Sequence, residues 1–278
     1  MYWELPAVFT WSFIISRAMR DRVLCEIEAA GFTRPNFRGK DIPLAAGVVF
    51  FLAALPAALP LFFLWPGAVR DRALLYLFAM AGATCLGLAD DFWGNRTTTG
   101  LLGHLKALVR GRLTTGALKA LGGGVLALIA GAYLYPGDVL RVLESAAIIA
   151  LSINALNLFD LRPGRAGKVF ILFYLLLLPF SLGGPEAVMA TAVLGGLAAF
   201  MPVDLKARAM MGDAGANALG VVIGITAAAC LDGFFRWGFL ILLVLLHVVT
   251  EKYSLTSIIA GNPLLNYLDM LGREKGSE

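Results

Sequence analysis

Charged residues are scarce in this chain: only 15% of its 278 residues are Asp, Glu, Lys or Arg, against about 25% in soluble domains. Histidine occurs twice and cysteine three times, and the cysteines have no paired spacing. That spacing argues against a zinc site or a disulfide framework. The sequence has no internal repeat, low-complexity tract or linker. Little chain lies outside the apolar segments, so a separate soluble domain has no room.

Long apolar segments take up most of the sequence instead. The chain is 59% hydrophobic with a mean hydropathy of +0.79, and several segments approach the roughly 20 residues that cross a bilayer as a helix. We predict a single all-α, polytopic transmembrane domain over residues 1–278. A signal peptide is the alternative for the first span, but no small-residue cleavage site follows it, which favours a retained helix. The nine predicted spans are 5–19, 43–66, 73–89, 118–135, 139–157, 169–183, 187–202, 214–231 and 234–250.

The distribution of Lys and Arg predicts the orientation. Of the 23 basic residues, 18 lie in alternate connecting segments, and the intervening loops hold four. Basic residues concentrate in cytoplasmic loops, so the N-terminus is expected outside and the C-terminus in the cytoplasm. The basic segments are 20–40, 93–119, 161–168, 203–213 and 251–278.

Carboxylate and amide side chains collect at the ends of the apolar spans. They are Asp90 and Asp91 after the third span, Asn154, Asn157 and Asp160 at the end of the fifth, and Asp213 before the eighth. Charged groups are costly at a membrane boundary unless water or a cation compensates them. The predicted topology puts all three clusters on the cytoplasmic side. A hard divalent cation that holds phosphate groups is their simplest common ligand.

Each cluster taken alone also has a structural explanation. Asp90 and Asp91 repel each other, so one is protonated, both face a cation, or the pair is simply solvated. Asn154 and Asn157 share a helix face and offer oxygen ligands or amide donors, but Asn also forms hydrogen bonds between membrane helices. Asp213 could cap a helix. The three clusters together are what predicts a function.

Basic side chains follow the fifth span among flexible glycines, at Arg162, Arg165 and Lys168. They suit a diphosphate, although the predicted topology also places positive charge here. Lys119 could reach phosphates from the start of the fourth span, or its stem could extend the ammonium to the interface. The loop 90–117 is either an amphipathic interfacial helix or a solvated cationic loop.

Four ordered motifs resemble those of the polyprenyl-phosphate N-acetylhexosamine-1-phosphate transferases (glycosyltransferase family 4). This superfamily includes phospho-N-acetylmuramoyl-pentapeptide transferase and GlcNAc-1-phosphate transferases. Residues 36–43 with Gly47 are similar to its Pro-x-x-Gly-Gly region. Residues 87–91 resemble its Asp-Asp motif, 154–160 its Asn-Ala-x-Asn-Leu-x-Asp signature, and 211–215 its Met-Gly-Asp-x-Gly motif. The resemblance covers most of the chain.

The resemblance implies transfer of a phospho-sugar from a UDP-sugar to a polyprenyl phosphate such as undecaprenyl phosphate, with release of UMP. The reaction would occur at the cytoplasmic face of the plasma membrane and initiate an envelope glycopolymer. Asn157 and Asp213 would ligate Mg²⁺, or Mn²⁺ in its place. Asp90 or Asp91 would position or deprotonate the lipid phosphate, and Asp160 would organise the site. The substrate-binding residues would be Asn154, Arg162, Arg165, Lys168 and Lys119.

The sequence departs from the family pattern in three places. Pro163 stands at a position that the family associates with the uracil, so UDP is less firmly implied than phosphoryl transfer itself. A His-x-Arg loop is absent, and His247 is expected to pack within the ninth span. Nine spans are predicted where the family has ten, with a short interfacial helix over 262–269 in place of the last.

Three alternatives stay open at this point. One is an enzyme that uses a different nucleotide-linked donor. Another is a non-catalytic relative that binds polyprenyl phosphate or acts as a scaffold for envelope assembly. A transporter is the third, although it would be expected to carry ionisable groups near the bilayer midplane. A homodimer is expected by analogy with relatives, and nucleic acid is not an expected partner.

Overall fold

The computed structural model describes residues 4–64, 67–94 and 114–274. Within these residues the chain forms eleven helices and one two-stranded antiparallel hairpin. The elements are α1 (Glu4–Ala29), β1 (Thr33–Pro35), β2 (Asp41–Pro43), α2 (Val48–Leu64), α3 (Gly67–Trp93), α4 (Thr115–Leu134), α5 (Val139–Phe159), α6 (Arg165–Ser181), α7 (Pro185–Leu205), α8 (Gly212–Cys230), α9 (Gly233–Lys252), α10 (Leu255–Gly261) and α11 (Pro263–Met270).

Six of these helices are long and apolar enough to cross a bilayer, namely α3, α4, α5, α7, α8 and α9. α2 has a shorter apolar stretch, Val48–Leu59, and α6 has 17 residues. Each of α1 to α9 overlaps one predicted span, although some bounds differ. The chain is an all-α polytopic membrane protein, as predicted, while the number of helices that cross the bilayer stays a prediction.

The first helix continues to Ala29, well past the predicted limit at residue 19. Its extension carries Arg20, which is buried and whose Nη1 donates to the Ala199 carbonyl oxygen at 2.7 Å. Nε of Arg20 also donates to Asp21 at 2.8 Å. The guanidinium is therefore compensated within the protein, and the helix does not have to end where the apolar sequence ends.

The second helix begins at Val48 instead of residue 43. Pro43 is the last residue of β2, and Ala45 has a φ of 60°. That angle lies in the left-handed region, which a right-handed helix does not use. The motif at 36–43 therefore forms the turn and the second strand of the hairpin, and the chain turns sharply before α2.

The hairpin supports the chain that leads into α8. The Met210 amide donates to the Pro43 carbonyl oxygen at 2.8 Å, and the Ala46 amide donates to the Met210 carbonyl oxygen at 3.0 Å. Nδ2 of Asn36 donates to the Ala207 carbonyl oxygen at 3.1 Å. These bonds fix the segment immediately before the Met-Gly-Asp motif.

α8 lies at the centre of the described helices. In its most apolar stretch 83% of the residues are buried, compared with 11% in α9. Glycines allow close backbone approach around it: a Cβ at Gly220 would lie 2.5 Å from Cα of Ile153 in α5. A Cβ at Gly47 would lie 2.8 Å from the Met211 carbonyl oxygen. Small residues at helix contacts permit this packing in membranes, and it fixes the position of the first turn of α8.

Candidate active site at the helix ends

A cleft of about 600 Å³ opens where the C-terminal ends of α3, α5 and α7 meet the starts of α4 and α8 and the hairpin. Residues from all three predicted clusters line it. Its charged and amide lining residues are Arg34, Asn36, Asp90, Asp91, Asn157, Asp160, Arg162, Asp204 and Asp213. Residues far apart in sequence thus form one polar site, because the helices that carry them end at the same level of the bundle.

Asp91 serves as a cap for α8. Its two carboxylate oxygens accept hydrogen bonds from the backbone amides of Asp213 and Ala214, each at 3.0 Å. The side chain at the N-cap position, Met211, forms no capping bond. Asp91 is only 8% exposed, and a carboxylate at a helix N-terminus is stabilised by the free amides and the helix dipole. This residue joins the end of α3 to the start of α8.

Lys119 lies among the predicted metal ligands. Its Nζ contacts the Asp213 carboxylate and lies 3.9 Å from Oδ2 of Asp90. In the amide orientation that satisfies both partners, Asn157 Oδ1 accepts from Nζ at 2.8 Å, and Asn157 Nδ2 donates to Asp213 Oδ1 at 2.9 Å. Oxygen atoms from α3, α5 and α8 therefore surround one cation supplied by α4.

These oxygen atoms could supply some of the ligands of a hard divalent cation, but not a complete coordination shell. No group of three His, Cys, Asp or Glu side chains within residues 4–64, 67–94 and 114–274 is arranged to hold a metal ion. Mg²⁺ commonly takes only one or two carboxylates and completes its shell with water and substrate phosphates. Asp213 with the Asn157 oxygen is a set of that kind. The ammonium of Lys119 now compensates the carboxylate that such an ion would bind.

Asp160 and Asp204 form a second acidic pair along the cleft. Asp160 caps the C-terminal end of α5, and Asp204 lies in the last turn of α7. Burial raises the pKa of Asp160 well above its usual value, and the charges of Asp204, Asp213 and Asp91 raise that pKa further. Oδ2 of Asp204 accepts from the Gly164 amide at 3.0 Å. The raised pKa of Asp160 means that the pair carries less negative charge at neutral pH than two exposed aspartates would.

Two arginines supply positive charge to the cleft. Arg162 follows Asp160, and its guanidinium lies 5.9 Å from the ring centroid of Phe37 in the hairpin. Nη2 of Arg34 donates to the Asp91 carbonyl oxygen at 2.9 Å. Arg162, Arg34 and Phe37 all line the cleft. The arrangement offers cationic groups opposite the acidic helix ends.

Arg165 and Lys168 were predicted to bind substrate, but the structure does not place them among the described residues that line the cleft. Arg165 is 4% exposed and forms two bonds of 2.8 Å with the Asp269 carboxylate. Nζ of Lys168 donates to the carbonyl oxygens of Leu268 and Asp269. Both side chains belong to the start of α6, and their partners, the Asp269 carboxylate and two carbonyl oxygens, belong to α11. They therefore attach the C-terminal helices to α6.

Asn154, also predicted to contact substrate, is exposed and lies one turn before Asn157 in α5. It is not among the described residues that line the cleft. His247 lies within α9, and its Nδ1 is 2.7 Å from the Leu243 carbonyl oxygen. The interfacial helix proposed within 90–117 falls mainly on residues 95–113, which lie outside the described residues, as does His104.

Asp204 and Arg34 line the cleft but were not predicted from the sequence. Asp204 carried a usable signal, because it lies two residues after the apolar span 187–202, as Asp91 does after the third span. It belongs to none of the four motifs. Arg34 offered no comparable signal, since its position in the cleft depends on the β1–β2 pairing of Arg34 with Ile42.

Comparison with known proteins gives consistent relationships. Residues 73–231 match the model of the family described as glycosyl transferase family 4. The phospho-N-acetylmuramoyl-pentapeptide-transferase of Borreliella afzelii is 26% identical over 265 residues, which cover 83% of this chain and 74% of that protein. The protein of the same name from Borrelia garinii subsp. bavariensis is 26% identical over 293 residues, which cover 93% of this chain and 82% of that protein.

A third relative, the phospho-N-acetylmuramoyl-pentapeptide-transferase of Moorella thermoacetica, is 29% identical over 217 residues, with 70% of this chain and 63% of that protein covered. The family match runs from the first turns of α3 to the residue after α8 and so includes Asp90, Asn157 and Asp213. More than half of the chain is matched. The chain belongs to glycosyl transferase family 4, within the superfamily of polyprenyl-phosphate hexosamine-1-phosphate transferases.

Proposed function

We propose that this protein transfers a sugar-1-phosphate from a nucleotide sugar, with UDP as the carrier, to a polyprenyl phosphate, and that it requires Mg²⁺. The reaction would occur at the cytoplasmic face of the plasma membrane and begin an envelope glycopolymer. The observation that carries the proposal is the group of oxygen atoms from Asp90, Asn157 and Asp213 around the Lys119 ammonium. A diphosphate substrate with its metal ion needs oxygen ligands for the metal and positive charge for the phosphates, and this group offers both.

Asp213 and Asn157 would hold the metal ion. Their oxygens come from two helices whose contact is fixed by Gly220 against Ile153, so little rearrangement is needed when an ion arrives. When bound, Mg²⁺ would neutralise charge on the diphosphate and stabilise the charge that develops during transfer. Mn²⁺ prefers similar oxygen ligands and is expected to substitute for it.

Lys119 would pair with phosphate oxygens after leaving Asp213. Its ammonium is a mobile point charge on a flexible stem, so it can exchange a carboxylate partner for a phosphate one. Phosphoryl transfer depends mainly on positioning and charge stabilisation, with little covalent work for the protein. The movement of this one side chain would therefore link diphosphate binding to release of the metal-binding carboxylate.

Asp90 is the better candidate for the group that accepts a proton from the lipid phosphate. Its neighbour Asp91 is committed to the amides of Asp213 and Ala214, whereas Asp90 lines the cleft within 3.9 Å of the Lys119 ammonium. General-base catalysis requires the base to lie within hydrogen-bonding reach of the proton. A lipid phosphate that entered from the bilayer side and contacted Lys119 would be close to this carboxylate.

The nucleotide side of the donor would lie near the hairpin. Arg162 and Arg34 provide charge for the diphosphate there, since guanidinium groups bind phosphate oxygens in pairs. The relatives that this chain matches carry the name phospho-N-acetylmuramoyl-pentapeptide-transferase. Pro163 alters the segment that the family resemblance associates with the uracil, so UDP is tested below against other nucleotide carriers.

The test is an assay of the purified protein with undecaprenyl phosphate, MgCl₂ and a panel of nucleotide sugars. We expect nucleoside monophosphate release that EDTA abolishes and Asp213→Asn lowers by at least about 100-fold. The matched control is Asp71→Asn, which changes an exposed carboxylate near the start of α3 and should leave turnover unchanged. Retained binding of undecaprenyl phosphate without turnover of any donor would instead indicate a non-catalytic role.

A further inference from the structure

The peptide unit between Pro163 and Gly164 is held from both sides. The Gly164 amide donates to Oδ2 of Asp204 at 3.0 Å, and Nε of Arg273 donates to the Pro163 carbonyl oxygen at 2.8 Å. The N–H and C=O of a trans peptide point in opposite directions. Asp204 and Arg273 therefore fix the plane of one peptide unit within the turn that follows the cleft residues Asp160 and Arg162.

Arg273 is itself fixed by a buried carboxylate. Its Nη2 donates to Oδ1 of Asp269 at 2.6 Å, and its side chain is 2% exposed. Asp269 also accepts two bonds of 2.8 Å from Arg165, and Nη1 of Arg165 donates to Oγ1 of Thr256 at 3.0 Å. One carboxylate thus orients two guanidinium groups: Arg165 directly follows the turn, and Arg273 bonds to the turn from the C-terminal segment.

The C-terminal segment has one further charged attachment, because Nζ of Lys168 donates to the carbonyl oxygens of Leu268 and Asp269. An ion pair of 3.7 Å joins Arg38 of the hairpin to Glu274, with both side chains substantially exposed, and such pairs contribute little. The outer side of α11 is apolar and exposed at Leu264, Tyr267 and Leu268. The Asp269 carboxylate and the two carbonyl oxygens that Lys168 contacts are therefore the main polar attachments that hold residues 263–274 against the start of α6.

We propose that Arg273, oriented by Asp269, is a positioning residue that holds the turn 161–164 in the form that presents Arg162 to the diphosphate of the donor. The proposal rests on the function proposed above. Neither residue lines the cleft among the described residues, so the effect would be transmitted through the Pro163 carbonyl. If Arg273 is removed, only the hydrogen bond from the Gly164 amide to Asp204 still constrains the peptide unit, and the turn can change its form.

The two substrates should respond differently. Arg162 adjoins the constrained peptide, whereas Asp90 and Lys119 belong to other elements, α3 and α4. Loss of the Arg273 bond should therefore weaken binding of the nucleotide sugar and leave binding of the lipid phosphate unchanged. A residue that only stabilised the fold would affect both substrates and the melting temperature together.

The test compares Arg273→Gln, Arg273→Lys and Asp269→Glu with the wild type in two measurements. We expect Arg273→Gln to raise KM for the nucleotide sugar about tenfold, in line with the loss of a charged hydrogen bond. Its kcat and its KM for undecaprenyl phosphate should stay within about twofold. Arg273→Lys should not restore binding, because one ammonium cannot bond both Pro163 and Asp269 in the geometry of the fork. Asp269→Glu keeps the charge and should retain most of the wild-type affinity.

Hydrogen exchange at the Gly164 amide is the second measurement, and it needs no activity. Exchange there should be about tenfold faster in Arg273→Gln than in the wild type, because the opposing constraint on the peptide is lost. Arg208→Gln, which changes an exposed arginine in the neighbouring loop, is the control and should alter neither measurement.

The outcomes separate the two proposals. If the wild type turns over no donor, the proposed function fails, while the exchange measurement still decides whether Arg273 constrains the turn. Unchanged exchange in Arg273→Gln would overturn the constraint. Faster exchange with an unchanged KM would overturn the positioning role, and so would a parallel loss of kcat, both KM values and melting temperature.

Discussion

Asp91 caps the helix that carries Asp213, since its Oδ1 accepts a hydrogen bond from the Asp213 backbone amide at 3.0 Å. The two adjacent carboxylates of the Asp-Asp motif therefore have different structural roles. Asp91 points to the backbone of α8, while Asp90 lies within 3.9 Å of the Lys119 ammonium. The position of the predicted metal ligand depends on a residue that does not itself have to touch the substrate.

The first prediction concerns stability. Asp91→Ala removes the cap of α8 and should lower the free energy of unfolding by about 0.5–2 kcal/mol, the usual effect of losing an N-terminal cap. The loss should appear as a lower midpoint of thermal unfolding in detergent. Activity should fall as well, because the first turn of α8 carries Asp213.

Asp90→Asn is the matched change at the neighbouring position. We expect its melting temperature to stay close to that of the wild type, because α8 keeps its cap. Turnover should fall by about 10²–10⁴-fold, the range for loss of a general acid or base. Equal losses of stability in the two variants would contradict the division of roles between the two residues.

The second prediction concerns Lys119, whose ammonium contacts Asp213 in the structure. Lys119→Met removes the cation that competes with a metal ion for this carboxylate. Mn²⁺ should therefore bind the substrate-free variant more tightly than the wild type, as measured by electron paramagnetic resonance. Turnover should nevertheless fall by about 100-fold, because a charge that stabilises the transferred phosphate is lost.

Lys206→Met is the control for that experiment. Lys206 is exposed at the end of α7, so its replacement changes the net charge by the same amount without touching Asp213. Its Mn²⁺ affinity and turnover should match the wild type. Weaker Mn²⁺ binding in Lys119→Met would show that the lysine assists the ion and does not compete with it.

The third prediction uses two glycines within helices. A Cβ at Gly87 in α3 would overlap the Asp213 carbonyl and lie 2.5 Å from Cα of Ala214, whereas one at Gly124 in α4 would meet nothing within 4 Å. Gly87→Ala should destabilise the protein by about 1–3 kcal/mol through overpacking. Gly124→Ala should stabilise it by up to about 1 kcal/mol, because alanine favours helix. Thermal unfolding of both variants measures the difference in sign.

The fourth prediction concerns pH and the C-terminal helices. Burial opposes ionisation of Asp269, but the Arg165 hydrogen bonds and the charges of Arg165 and Arg273 hold the pKa of Asp269 below its usual value. A lowered pKa in the folded state means that the contribution to stability is fully present above the unfolded pKa of about 3.9. It is lost as the pH falls through the lower, folded value.

Hydrogen exchange in residues 263–270 measures this dependence. Protection should stay constant from about pH 7 to about pH 5 and decrease only below about pH 4. In Asp269→Asn the protection should be low throughout and should not change over that range. A loss of protection near pH 6 in the wild type would mean that a group other than Asp269 controls docking of α11.

Much of the architecture could be predicted because apolar length determines where membrane helices lie. The placement of Asp90, Asn157 and Asp213 in one cleft also follows from sequence, since each ends or begins a span at the same level. The separate role of Asp91 could not be predicted in this way. Two adjacent residues differ only in which neighbouring helix each one faces, and that depends on the packing of α3 against α8.

The basic residues after the fifth span show a second limit. Arg162, Arg165 and Lys168 look alike in the sequence, but only Arg162 lines the cleft. The partner of Arg165 is Asp269, more than a hundred positions later, and nothing local to either residue indicates the pairing. Charge patterns near a membrane identify the side on which a loop lies, whereas the partner of each charge is set by tertiary structure.

The burial of α8 also affects how the protein should respond to its lipid environment. Most of its apolar residues contact other helices, whereas α9 faces outward along most of its length. A bilayer thinner than the apolar helices makes the lipid-facing helices tilt, and a thicker bilayer becomes thinner around them, at a small energetic cost for each ångström of mismatch. Both adjustments would occur at the periphery of the bundle. The geometry around Asp213 should therefore be the same in short-chain and long-chain phospholipids.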